Sequence, residues 1–393
     1  MKSHFIMRGC RVKHIYSCGF VFVSLYWFMA QALFFQVMRV EGSTDQAASK
    51  SFMFPINLDP LQFLNLEAGV WSDFKSLINA TKGYSSDAIA HLKLYFAQFG
   101  YLDLPEGMIA SADFDDAVEA AIRLYQQWFG LPITGILDLP TLYQLIQPRC
   151  GRADVLESFF DINDRKKTQI TTGIKHYSFF PGNPVWTSKR SLTYAFSPSL
   201  ETTRVSTAAR TTAFAEAFAQ WSAVVPLTFK EISSYDDADI KIEFADGDHS
   251  DGQPFDGMLG ILAHSFSPED GRFHLDNAEY WTADMTSEKS PFAMDLESVA
   301  VHEIGHLIGL GHSSAKNAIM FPSLSPREVK RQLVDDDIQG SQSLYGASQS
   351  FQGSTDSFQS TNQTANGVFG RFLDLWLCWF LLTIHLLASF SHA

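Results

Sequence analysis

The chain has 393 residues, 46% hydrophobic and 14% aromatic, which is enough apolar material for two compact domains and too much for a disordered chain. Its 43 acidic against 29 basic residues leave a net charge of −14, which argues against a nucleic-acid partner. Four cysteines in this length exclude a disulfide-built scaffold.

In chain order, Lys2, Arg8, Arg11 and Lys13 precede an apolar stretch from Ile15 to Phe35, with Ala30-Gln31-Ala32 as a cleavage candidate. This is the order of a secretory signal, assigned to residues 1–32; a first transmembrane span is the alternative, because the stretch is long. An N-terminal propeptide segment, 33–84, follows. Asn79 and Asn362 begin glycosylation sequons that fit export.

Across 85–154, "AIAHLKLYFAQFG" and "FDDAVEAAIRLYQQWFG" place apolar residues at helical spacing and end on Gly100 and Gly130. "LPITGILDLPTLYQLI" adds a turn and a third helix, so a small helical bundle is expected. Residues 155–185 are polar, then punctuated by Pro and Gly, as in an exposed linker open to proteases.

Residues 186–346 change character. Leu192, Tyr194 and Phe196 alternate as in a strand, Arg204 to Val224 reads as a long helix, and Ile240, Ile242 and Phe244 alternate again. The expectation is a mixed α+β domain. Its decisive stretch is "VAVHEIGHLIGLGH". His302 and His306, four apart on a helix, share one face and can bind one metal ion. Glu303 can reach water at that ion without ligating it. Gly309 and Gly311 let the chain turn and bring round His312 as a third nitrogen ligand. Three protein ligands leave one tetrahedral position open, the pattern of a catalytic zinc. Met320, eight residues on, fits a turn beneath the metal.

The tail closes the chain. A polar stretch, 347–367, offers candidate anchor sites and leads into the tail, 368–393, whose hydrophobic run from Leu375 to Phe390 is followed by no Lys or Arg. This reads as a GPI-anchor signal, the alternative being a terminal transmembrane helix burdened by Asp374 and His385. With Cys10 and Cys18 in the signal region and Cys378 in the tail, Cys150 is the one cysteine certain to remain. A lone thiol is either an inert core residue or one with a specific use.

The zinc motif, the Met-turn and "PRCG" upstream resemble the matrixins, and among them the short plant-type members that lack a hemopexin domain and carry a membrane anchor. The resemblance implies a metzincin catalytic domain, a twisted and mostly parallel sheet with an antiparallel edge strand and long helices. A small all-α, peptidoglycan-binding-like prodomain precedes it. It also implies that Cys150 ligates the catalytic zinc in the zymogen and that Arg149 and Asp154 pair across the switch loop. Ala153 stands where the family has Pro. His249, Asp251, His264 and His274 match a structural zinc site. Asp256, Asp276 and Glu279, with backbone oxygens of Gly257, Leu259 and Ile261, match a calcium site, and Asp239 matches a second.

The implied function is a secreted, anchored zinc endopeptidase at the outer face of the plasma membrane or in the extracellular matrix. Its partners are protein substrates, an activating protease and the membrane. Cleavage is expected before large apolar residues, with substrate extended and antiparallel to the strand around Gly260 to Ala263. Two other classes compete: a glycan-binding module with a relic catalytic motif, and an anchored display domain. The intact His302, Glu303, His306 and His312 speak against a relic.

Overall fold

The computed structural model describes residues 72–105, 107–155, 176–199, 202–349 and 351. The expected signal, Asn362 and the hydrophobic tail lie outside the described residues.

The prodomain opens with a 3-10 turn, Ser72–Leu77, and continues in α1 (Asp87–Gln98), α2 (Asp116–Trp128) and α3 (Leu139–Leu145). Each α-helix begins at a side-chain cap. Ser86, Asp115 and Asp138 accept from the N–H groups of Ala88, Val118 and Thr141, filling donors the first turn leaves open. Their apolar faces meet in a core of Phe74, Ile89, Phe96, Ile122, Tyr125 and Leu145.

The catalytic domain is built on β2 (Ser191–Phe196), β3 (Thr228–Glu231), β4 (Ile240–Ala245), β5 (Ile261–Ser265) and β6 (Arg272–Asp276). The six-stranded sheet runs β3-β2-β4-β6-β5-β1, where β1 is the prodomain's Arg149–Cys150. β3, β2, β4 and β6 pair in parallel, β5 turns antiparallel to β6, and β1 lies parallel along the outer edge of β5. Two short strands, β7 (Trp281–Thr282) and β8 (Met294–Asp295), form a separate pair.

Helix α4 (Thr207–Val224) packs against α5 (Leu296–Leu307), where Trp221 Nε1 donates to Val301 O at 2.9 Å. Ile240, Ile242 and Phe244 share one buried core with these helices, in which Phe214 of α4 meets Phe273 of β6 at 5.5 Å between ring centroids. Helix α6 (Asp335–Tyr345) completes the domain.

Residues 176–180, assigned to the linker from sequence, lie on the catalytic domain. The N–H groups of His176 and Tyr177 donate to Asp336, Ser178 Oγ donates to His312 O, and Phe179 bridges to Leu310. Polar, unpatterned residues need not be a free linker when their backbone groups find partners.

Candidate metal centre and active site

Asp295 caps α5, accepting from Ser298 N–H, and is held in turn by Arg331 at 2.6 Å. The helix then presents His302 and His306 one turn apart. Gly309, at φ +102°, allows the reversal that returns His312 to the same spot. A side chain at Gly305 would collide with Met320 Sδ, so the turn beneath the metal site needs that glycine. The N–H groups of Ile319 and Met320 donate to Asp337 at 2.9 and 3.0 Å, which fixes this turn.

The metal-facing atoms of His302, His306, His312 and Cys150 all lie within 4.8 Å of one another and are buried. His306 Nε2 is 3.2 Å from His312 Nε2 and 3.4 Å from Cys150 Sγ. Behind the site, the Nδ1 atoms of His302, His306 and His312 face Ile319 O at 2.7 Å, Leu310 O at 2.8 Å and Asp154 Oδ1 at 2.8 Å. Such acceptors place each proton on Nδ1 and turn the Nε2 lone pairs inward.

His302 Nε2 and both Glu303 carboxylate oxygens are buried without a hydrogen-bond partner. Burial pushes His302 and His306 well below the ordinary imidazole value and Glu303 up to about 7. Burial and the nearby Glu303 push the Cys150 thiol well above its ordinary value. Neutral imidazoles, a thiol that needs a cation to ionise, and an orphaned Nε2 fit a tetrahedral zinc ion.

A matrixin family model matches residues 185–346, and a model for a putative peptidoglycan binding domain matches 85–145. Metalloendoproteinase 5-MMP of Arabidopsis thaliana is 41% identical over 321 residues, covering 79% of this chain and 86% of its own. Metalloendoproteinase 1 of Glycine max is 46% identical over 269 residues, covering 67% of this chain and 84% of its own. The chain belongs to the matrixin family. It is a zinc-dependent metalloendopeptidase, with the mostly parallel sheet and all-α N-terminal bundle expected from its sequence.

In this matrixin the segment 148–151 lies between β5 and the residues around Pro322. The N–H groups of Arg149 and Gly151 donate to Gly260 O, just before β5, and to Ala263 O on β5, at 3.0 and 2.9 Å. On the opposite wall Cys150 N–H donates to Pro322 O, and Leu324 N–H donates to Pro148 O. The Arg149 side chain leaves the cleft for the prodomain core. There it meets Asp154 at 2.6 Å, donates to Tyr95 OH at 3.1 Å and stacks over Phe99, 3.5 Å from the ring centroid. Tyr101 OH donates to Asp154 Oδ2 at 2.6 Å. Arg149 and Asp154 side chains are 1% and 0% exposed. Removing one partner of a buried pair leaves an uncompensated charge worth about 3–5 kcal/mol. Arg149→Met is therefore expected to lower the melting temperature of the full chain by several degrees in calorimetry, and an unchanged transition would contradict this role.

Sequence reasoning did not anticipate Arg152. Its guanidinium lies 5.3 Å from the ring centroids of both Phe180 and Phe266, tying the loop that follows Cys150 to the catalytic domain.

The second cluster also assembles. Asp251 Oδ2 lies 3.0 Å from His249 Nε2, 2.7 Å from His264 Nε2 and 2.9 Å from His274 Nδ1. Burial pushes His264 down to about 4. Although burial opposes it, hydrogen bonds from Gln253 N–H and the histidines hold Asp251 far below the carboxylate range. The ligand atoms of these four residues lie within 4.8 Å of one another, close enough to share one cation.

Asp256, Asp276 and Glu279 converge on the loop before β5, their oxygens accepting from the N–H groups of Ile261, Gly257 and Leu259. Gly257 and Leu259 take φ of +95° and +65°, which curls this loop. Burial pushes Asp256 up to about 6 and Glu279 up to about 9. Asp239 instead pairs with Lys189 and accepts from Thr193 N–H at 2.9 Å and Thr193 Oγ1 at 3.0 Å, so its carboxylate is already engaged.

Proposed function

We propose that this matrixin is a secreted zymogen, anchored by its tail, that cuts extracellular or cell-surface proteins once the segment 156–175 is severed by an activating protease. The reading rests on one observation: Cys150 Sγ stands among the Nε2 atoms of His302, His306 and His312, where the fourth ligand of a zinc ion belongs. Zinc held there supplies Lewis-acid polarisation of the scissile carbonyl and a nucleophilic water at neutral pH. Glu303, buried with both oxygens unpaired, takes the proton of the attacking water and hands it to the leaving amine.

The carbonyls of Gly260, Ala263 and Pro322, used here by the prodomain, would hold an extended substrate. The prodomain runs parallel to β5, opposite to the direction expected of a substrate, so its own backbone is presented in reverse. Beside His302, the primed-side pocket has walls of Leu262, Val299, Ile319, Phe321 and Leu324, which suit a large apolar side chain. It measures about 20 Å³, room for about one water molecule. Gln144 holds Ser323 at 3.0 Å and Phe129 packs on Phe321, so loss of the prodomain frees this wall to open. Cleavage of a peptide library by the cut enzyme tests this preference, with enrichment of small or charged residues after the cut as the contrary result.

We assign a structural zinc to His249, Asp251, His264 and His274, and a calcium ion to Asp256, Asp276, Glu279 and backbone oxygens of Gly257, Leu259 and Ile261. Asn79, exposed at φ +60°, is a glycosylation candidate.

Calcium removal gives a pH-dependent prediction. The raised values of Asp256 and Glu279 mean that the cation-free fold is most stable when both are protonated. That stability is lost as pH rises through about 6 and then about 9. A calcium-selective chelator is therefore expected to lower the melting temperature more at pH 8 than at pH 5. An equal melting temperature with and without calcium at pH 8 would remove calcium from this site.

A further inference from the structure

The three zinc-facing histidines are not supported alike. The acceptors behind His302 and His306 are backbone carbonyls of the catalytic domain, Ile319 O and Leu310 O, which stay in place whatever happens to the prodomain. The acceptor behind His312 is a carboxylate, and the prodomain owns it: Asp154 Oδ1, at 2.8 Å, with both side chains 0% exposed. Arg149 and Tyr101 hold that carboxylate in position from the prodomain side.

We propose that Asp154 is a positioning residue for the catalytic zinc site, so that the prodomain builds part of that site as well as blocking it. A carboxylate on Nδ1–H fixes the imidazole tautomer and orientation and makes Nε2 a stronger donor; losing such a partner costs about 10- to 100-fold in metal affinity. The prodomain thus contributes to zinc retention in two separable ways, through Cys150 as a direct ligand and through Asp154 behind His312. When it departs, His312 keeps its place on the chain and loses its anionic support. The activated enzyme then holds zinc less tightly than removal of the thiolate alone explains.

The inference rests on zinc occupying the His302, His306 and His312 site, and the test separates the two claims. Zinc dissociation constants are measured by competition with a chromophoric chelator for four proteins: the uncut zymogen, uncut Cys150→Ser, uncut Asp154→Asn and the cut enzyme freed of its prodomain. Uncut Cys150→Ser, which lacks the thiolate and keeps Asp154, is expected to bind zinc about 10- to 100-fold more tightly than the cut enzyme. Asp154→Asn is expected to lose about the same factor relative to the wild-type zymogen, while its cobalt-substituted form keeps the thiolate-to-cobalt charge-transfer band of Cys150.

Proton NMR supplies a signature that a purely structural role would not produce. The His312 Nδ1 proton should resonate downfield in uncut Cys150→Ser and lose that shift on cutting. Should the cobalt band vanish in Asp154→Asn because the loop detaches, the Cys150→Ser comparison and the NMR signal decide alone. Equal zinc affinity of uncut Cys150→Ser and cut enzyme overturns the proposal and leaves the zinc site standing. Failure of the wild-type zymogen to take up zinc overturns the site itself.

Discussion

Uncut Cys150→Ser protein is expected to hydrolyse peptide, and uncut wild-type protein is expected to be silent. A serine hydroxyl is a weak ligand for zinc compared with a thiolate, so the substitution opens the fourth position while the linker stays intact. The rest of the loop keeps its grip through Arg149 and Asp154, Arg152 between Phe180 and Phe266, and the backbone bonds to Gly260, Ala263 and Pro322. Activity is therefore expected to be partial, well above the zymogen and below the cut enzyme, because substrate must compete with a loop that still occupies the cleft. Reagents that consume thiols should activate the wild-type zymogen and leave the variant unchanged. If Cys150 were an inert buried thiol, the variant would lose some stability and remain silent.

The second large effect belongs to Glu303. Glu303→Ala in the cut enzyme is expected to lower kcat by about 10²- to 10⁴-fold at unchanged zinc content, the range for losing a positioned proton acceptor. Stability should not suffer. Burial pushes the group up to about 7, so the fold gains little from its charge. The same displacement gives a pH test. The base must be ionised to accept a proton, so the acid limb of kcat/KM in the cut enzyme should vanish in the variant along with most of the rate. Turnover within a few-fold of wild type would remove Glu303 from the mechanism.

What could be read from sequence was what spacing encodes. His302, Glu303 and His306 are set by one helical turn, His312 by the glycine at 309, and the strands by the two-residue alternation of Leu192, Tyr194 and Phe196 or Ile240, Ile242 and Phe244. The second histidine cluster followed from an ordered match to the family, because 249, 251, 264 and 274 fall on one loop and two adjacent strands. What stayed hidden depends on long-range placement. Nothing local says that Arg149 enters a box of Tyr95 on α1 and Phe99 at its C-terminal cap, or that Arg152 finds rings from residues 180 and 266. Asp337 sits in an acidic run that reads as an ordinary helix start, yet its carboxylate fixes the turn at Met320 from 17 residues away. Asp154 was legible as the partner of Arg149, but its contact with His312 crosses 158 residues and belongs to no motif.

The most direct test of the whole account is hydrolysis of a quenched-fluorescence peptide by one preparation, before and after a single cut within residues 156–175. The account predicts silence before the cut, hydrolysis after it, loss of that hydrolysis with a zinc chelator, and recovery on adding zinc back. A cleanly cut, zinc-loaded protein that leaves the peptide intact, or an uncut wild-type protein that already cleaves it at full rate, would contradict it.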